Sequence, residues 1–158
     1  MLSRFHSFEP GARDDAMAAL KGLDRQLVIS TLQDLIRNPD PELRCDAAEA
    51  LLRIDSEKTV DLIIPLLTDS TESVRWNTCG LLHDFGSMRA VPALVRVLLH
   101  DPEGSVRGMA AWALGAIGDS AAIPALRQAT ESDTGTDHEG RRVRDFAVQA
   151  IQEIQGRE

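Results

Sequence analysis

Apolar residues recur along this chain at helical spacing, and the whole arrangement returns about every 31 residues. Arg13, Arg44, Arg75, Arg107 and Arg144 serve as origins, at intervals of 31, 31, 32 and 37 residues. Three and four positions beyond each lie Ala16/Met17, Ala47/Ala48, Thr78/Cys79, Ala110/Ala111 and Ala147/Val148. Seven positions beyond lie Leu20, Leu51, Leu82, Leu114 and Ile151; ten beyond lie Leu23, Ile54, Phe85, Ile117 and Ile154. Positions +3, +4, +7 and +10 form one stripe on a helix of period 3.6. A second apolar set follows each of the first four copies: Ile29/Leu32/Leu35/Ile36, Val60/Ile63/Ile64/Leu67, Val91/Leu94/Val95/Leu98 and Ile123/Leu126. Each copy therefore predicts two helices. Gly86 and Gly118 suit helix C-termini. Asp40-Pro41 and Asp101-Pro102 read as an N-cap before a first-turn proline. Pro92 and Pro124 open second helices, and Pro65 is placed to kink one.

Antiparallel helices joined by short turns predict an all-α, right-handed α-solenoid of helix pairs, one domain over residues 1–158. The long last interval marks a polar, glycine-containing insert at 131–141, read as an exposed loop. At Asp-Pro-Glu-Gly-Ser-Val-Arg-Gly-Met-Ala-Ala-Trp-Ala-Leu-Gly-Ala-Ile-Gly-Asp (101–119) and Ala-Ile-Pro-Ala-Leu (122–126) the pattern resembles a HEAT repeat. It is similar to the short subtype named for phycobilisome bilin lyases. The resemblance implies a scaffold whose arginine-led helices line the inner surface. A fold of this kind serves many tasks, so function has to be sought in the site.

An arginine in the first turn of a helix faces the positive end of the helix dipole and needs a compensating partner. Asp40, Asp69 and Asp101 lie four or six residues before Arg44, Arg75 and Arg107. An arginine–aspartate ladder across the turns is the expected structural role of these six residues.

Composition narrows the function. The chain carries 17 basic and 25 acidic residues, net −8, which is opposite to the basic face of a general nucleic-acid binder. No apolar run reaches the ~18 residues of a membrane span, and the N-terminus lacks a secretory apolar stretch. Cys45 and Cys79 make neither a disulfide framework nor a zinc set, so a cytoplasmic chain with reduced cysteines is expected. His6, His83, His100 and His138 show no His-x-x-x-His spacing. HEAT-like deoxyhypusine hydroxylases repeat His-Glu pairs to bind two irons; only His138-Glu139 occurs here. Asp133, Asp137 and Glu139 could hold calcium, but a solvated acidic loop is the plainer reading. No nucleophile elbow or phosphate-cradling loop occurs, so no catalytic residue, metal or cofactor is assigned.

The face turned away from the apolar stripe holds positions +1, +5, +8, +9 and +12, with +2 at its edge. Trp76 at +1 and Trp112 at +5 are the chain's two tryptophans. Gly80 and Gly108, at the reciprocal positions, would let the indoles lie side by side, and Gly115 would leave space below Trp112. Met109 and Phe146 at +2 and His83 at +8 extend this patch; Asp46, Glu49 and Asn77 supply polar neighbours. Aromatic residues rimmed by carboxylates suit a protein-binding surface. The expected function is a non-enzymatic interaction scaffold for a partner helix or segment bearing basic and apolar residues. The alternative implied by the resemblance is a bilin lyase or phycobiliprotein maturation factor holding a tetrapyrrole on the tryptophans.

Overall fold

A computed structural model describes residues 25–157. The Arg13 copy and Leu23 lie outside the described residues. The described chain folds as α1 (Arg25–Leu35), α2 (Pro41–Ile63), α3 (Glu72–Phe85), α4 (Val91–His100), α5 (Gly104–Ile117), α6 (Ile123–Ser132) and α7 (Val143–Gln155). Short 3-10 segments cover Ile64–Thr68, Met88–Ala90 and Ser120–Ala122. The fold is an all-α solenoid in two layers. The arginine-led half of α2 packs on α3, α3 on α5 and α5 on α7, while α4 and α6 pair behind them.

The repeated stripe builds the core. Ala47, Ala48, Thr78, Cys79, Ala110, Ala111 and Ala147 are buried, as are Leu51, Leu82 and Leu114 one turn on. Small side chains there let stacked helices approach closely, and the larger residues fill the seam between layers. At α7 the stripe meets no further helix among the described residues, and Val148 is 42% exposed.

The turns follow their local chemistry. Gly86 (φ 47°) and Gly118 (φ 78°) end α3 and α5 in the left-handed region open to glycine. Asp40 caps α2, its carboxylate accepting from the Glu42 amide at 2.9 Å with Pro41 in the first turn. Asp101 is different: α5 begins three residues later at Gly104, with Glu103 as N-cap. α2 joins two successive repeat helices through a break at Asp55 (φ −166°, ψ 91°), so the kink falls there rather than at Pro65. Pro65 has no N–H for the α-helical ladder, and the chain tightens around it into a 3-10 turn.

The arginines staple adjacent turns. Arg44 donates to Asp69 at 2.8 and 2.7 Å, Arg75 to Asp101 at 2.6 and 3.0 Å, and Arg107 to Asp133 at 2.6 and 2.9 Å. Each carboxylate lies 25 or 26 residues after its arginine, on the following turn. The aspartate before each arginine therefore is not its ion-pair partner, which corrects the pairing read from sequence. The remaining guanidinium nitrogen reaches carbonyls of the arginine's own turn: Asn38 and Pro39 for Arg44, Asp69 for Arg75, Asp101 and Pro102 for Arg107. Asp69, Asp101 and Asp133 each also accept the amide two residues on, from Thr71, Glu103 and Gly135. The Asp40 carboxylate serves as the α2 cap, while Asp133, read with the insert, supplies the third rung.

Paired hydrogen bonds fix the electrostatics. Bonding to Asp101 raises the Arg75 pKa despite burial. The Arg107 guanidinium lowers the Asp133 pKa against the opposing pull of burial, helped by the Gly135 amide. Burial works against the Asp69 carboxylate, yet Arg44 and the Thr71 amide bring its pKa below the ordinary range.

Candidate functional site

A cleft of about 310 Å³ opens on the free face of the arginine-led layer, lined by α3, α5, α7 and the insert. Trp76, Met109, Trp112 and Phe146 form its apolar surface. Trp76 is 39% exposed and Trp112 36%, a large apolar area for residues fixed on rigid helices. Trp112 stacks on His83 of α3, ring centroids 3.6 Å apart and planes 21° apart. The His83 Nδ1 lies 2.9 Å from Asp84 Oδ1, which orients the imidazole. No heavy atom stands within 4 Å of where a Gly80 Cβ would lie, so α3 is open at this level. Gly108 makes room for Phe146, whose ring atoms lie 3.0–3.1 Å from a notional Cβ, rather than for an indole. Gly115 is occupied: Ala150 and Glu153 of α7 close over it within 3.0 Å, so no space remains below Trp112 there.

The insert is a folded arm, not a free loop. Its first two residues, Glu131 and Ser132, complete α6. Residues 133–142 then turn back over the cleft. The Asp137 carboxylate accepts from the amides of Glu139 and Arg141, both at 2.9 Å, and from Arg141 Nε at 3.0 Å. Burial opposes ionisation of Asp137, but these donors outweigh it and lower its pKa. The Asp137 amide donates to the Arg141 carbonyl and the Val143 amide to Gly135, around an isolated bridge between Thr136 and Arg142. Gly104 is needed at the base, because any Cβ there would strike the Thr136 carbonyl. The tip is tied across one repeat. His138 Nε2 lies 3.0 Å from Glu72 Oε1, which also accepts from Ser105 Oγ at 2.7 Å. Arg141 lies over the Phe146 ring, 4.6 Å from its centroid.

These contacts decide what the cleft can do chemically. Ser105 donates to Glu72 rather than to His138, so the two are not joined as a serine–histidine pair. Asp133 is paired with Arg107, Asp137 with Arg141, and Glu139 stands 3.6 Å from Arg141. Among the described residues no group of three or more His, Cys, Asp or Glu converges as a metal set would. The arrangement offers apolar contact, aromatic stacking and a rim of mixed charge from Asp137, His138, Glu139 and Arg141.

The remaining candidates fall elsewhere. Asn77 donates to the Ser73 carbonyl at 2.9 Å and to Cys45 Sγ at 3.6 Å, linking α3 to α2. Glu49 accepts from Arg53 on its own helix, and Asp46 is exposed on α2; neither lines the cleft. Cys45 and Cys79 are free thiols, and burial pushes the Cys79 pKa strongly up. Ser105, Arg141 and Gln149 line the cleft without having been singled out from sequence as binding residues; Asp137, His138 and Glu139, weighed there only as metal ligands, line it too, and Glu72 meets it through Ser105 and His138. The interval of 37 residues before Arg144 was the signal that something there departs from the repeat.

A two-layer stack of helix pairs, stapled through its turns and carrying one aromatic cleft, defines a helical-repeat scaffold. The chain belongs to the HEAT-repeat family: the family model described as HEAT repeats matches residues 1–75 and 60–142. Its repeats are of the phycobilisome-lyase type. It is similar to the structure of the complex of CpcE and CpcF of phycocyanin lyase from Nostoc sp. PCC7120. That likeness has a TM-score of 0.68 and 25% identity, covering 99% of this chain and 59% of that one. It is 30% identical over 97 residues to epoxyqueuosine reductase from Bacillus subtilis, 60% of this chain and 25% of that protein. It is 30% identical over 111 residues to deoxyhypusine hydroxylase from Eremothecium gossypii, 69% of this chain and 34% of that protein. The chain thus spans a quarter to a third of these relatives' length.

Proposed function

We propose that this chain is a non-enzymatic interaction scaffold that holds a partner protein in the cleft. The observation that carries the reading is the pair of half-exposed tryptophans, Trp76 and Trp112, fixed on adjacent helices beside Met109 and Phe146. Tryptophan anchors of this kind dominate binding energy at protein interfaces, where truncation costs about 2 kcal/mol or more. The partner suited to it is a helix or segment with lysine or arginine beside its apolar anchor, met at the rim by Glu139, whose side chain is 77% exposed beside Arg141. The HEAT fold supports the same reading, because its stacked helices present extended surfaces to partners. A reducing, cytoplasmic setting suits the two free thiols. Neither nucleic acid nor membrane is a proposed partner; among the described residues no helix is long and apolar enough to cross a bilayer.

The test is affinity capture from source-cell lysate by the native chain and by a Trp76→Ala/Trp112→Ala variant verified to fold. Retention of a protein by the native chain and its loss with the variant supports the reading. Equal retention, or none, overturns it.

A second reading is favoured by the likeness to phycocyanin lyase: a maturation factor that holds a tetrapyrrole against the tryptophans. An indole–imidazole stack beside an open glycine, as at Trp112, His83 and Gly80, suits a flat conjugated ligand. Titration with free bilin separates the two readings: a visible absorbance change lost in the double variant supports the pigment, and an unchanged spectrum supports the protein partner.

A further inference from the structure

A second groove, larger than the first at about 500 Å³, lies between the 3-10 segment Ile64–Thr68 and α4. Its walls are Ile64 and Pro65 on one side and Ala93 and Val97 on the other. Pro65 accounts for its presence. The 3-10 turn it imposes is narrower than an α-helix, so this element leaves a trough against α4. The corresponding gap between α4 and α6 is smaller, about 280 Å³, and mostly polar.

Nearly every polar group around the larger groove is already engaged. Asp69 is taken by Arg44 and the Thr71 amide, and Asp101 by Arg75 and the Glu103 amide. The Thr68 hydroxyl donates to the Pro65 carbonyl. Arg96 and His100 are the exceptions. Arg96 is exposed on the α4 wall and makes no hydrogen bond or ion pair among the described residues. His100, one helical turn further on, is also exposed without such a partner. The groove's unspent charge is therefore cationic, in a chain whose net charge is −8.

We propose that this groove docks an apolar peptide segment carrying a carboxylate, with aliphatic side chains in the trough between Pro65 and Val97 and the carboxylate on Arg96. A guanidinium binds a carboxylate through two parallel N–H donors, which fixes orientation as well as charge. Such a partner is opposite in charge to the one proposed for the tryptophan cleft, so the two surfaces would select different segments.

The test uses the full chain, labelled with nitrogen-15, and the synthetic peptide acetyl-Leu-Leu-Glu-Leu-Leu-amide. Amide shifts confined to residues 64–68 and 93–100, with affinity reduced at least tenfold by Arg96→Gln and by lysine in place of the peptide's glutamate, support the proposal. Arg96 is exposed, and circular dichroism verifies that its variant folds. Shifts absent, shifts centred on the tryptophan cleft, or equal affinity for Arg96→Gln each overturn it. Broadening of the same amides with protein concentration and no peptide, together with a dimer mass, also overturns it by identifying a second copy as the occupant.

Discussion

Removing Arg75 tests the ladder most directly. Its guanidinium makes two bonds to Asp101, at 2.6 and 3.0 Å, and one to the Asp69 carbonyl at 2.9 Å. The side chains are only 10% and 4% exposed. In Arg75→Met the Asp101 carboxylate keeps the Glu103 amide as its described donor and has almost no access to water. Leaving a buried charge without its partner costs about 3–5 kcal/mol, a large part of the ~5–15 kcal/mol that stabilises a domain. At roughly 2–4 °C per kcal/mol for a chain of this size, the melting temperature should fall by roughly 6–20 °C. The second arm is Arg75→Met/Asp101→Asn, which removes the charge while leaving an oxygen for the Glu103 amide. This double variant should be at least ~1 kcal/mol more stable than Arg75→Met alone, because the damage lies in the orphaned charge. Urea unfolding of the four proteins measures the cycle. A single-variant cost below about 1 kcal/mol, or strictly additive costs, would refute the reasoning.

Asp133 should confer acid sensitivity. Its pKa is lowered in the fold, so its contribution is complete above the unfolded carboxylate value of ~3.9 and is lost as pH falls through the folded value. The stability gap between the native chain and Asp133→Asn, read from urea midpoints, should therefore narrow from pH 6 to pH 2; a constant gap contradicts the rung. Gly115→Ala should cost about 1–3 kcal/mol, because its Cβ would stand 2.9 Å from the Ala150 Cα, which cannot swing aside. Gly108→Ala should cost less, since a Phe146 ring can yield; thermal melts rank the two. Trp112→Ala should cost below about 2 kcal/mol, less than the ~3–5 of a core aromatic, and a larger loss would place Trp112 in the core instead of the binding surface. Asp137→Ala should speed hydrogen exchange at the Glu139 and Arg141 amides by more than about tenfold, since both lose their acceptor; unchanged exchange would show that the arm is held by other contacts.

The helix faces were legible because a 3.6-residue period names the buried stripe before any neighbour is known. Ala48, Leu51, Cys79, Leu82, Ala111 and Leu114 follow that register to full burial. Ladder pairing was not legible. An arginine with an aspartate on either adjacent turn has two candidates of equal chemistry, and the stagger between stacked helices selects the later one. Gly115 was misread because its position faces outward on an isolated helix, whereas α7 crosses α5 closely enough to cover it. The tryptophans could be placed on one face from register alone. The roof above that face could not, because the path of residues 133–142 is set by one carboxylate, Asp137, gathering three donors, and by an approach to Gly104 that no local pattern announces.

A repeat protein separates the residues that make it stack from those that make it particular. The copies agree on small or aliphatic residues at +3, +4 and +7 and on arginine at the leading position, which staples the turns at Arg44, Arg75 and Arg107. Position +1, by contrast, reads Asp14, Cys45, Trp76, Gly108 and Asp145, and +5 reads Ala18, Glu49, Gly80, Trp112 and Gln149. Both positions lie at the margin of the apolar seam, and each copy fills them differently: Gly108 is buried beneath Phe146, whereas Trp76 and Trp112 remain over a third exposed. Two tryptophans in adjacent copies, a glycine that admits Phe146, and an insert confined to one interval all converge on a single cleft. Departures scattered by drift would spread over the five copies. Their convergence is what supports the proposal that the cleft binds a partner, and the stapled layer beneath supplies the rigidity that such a surface would need.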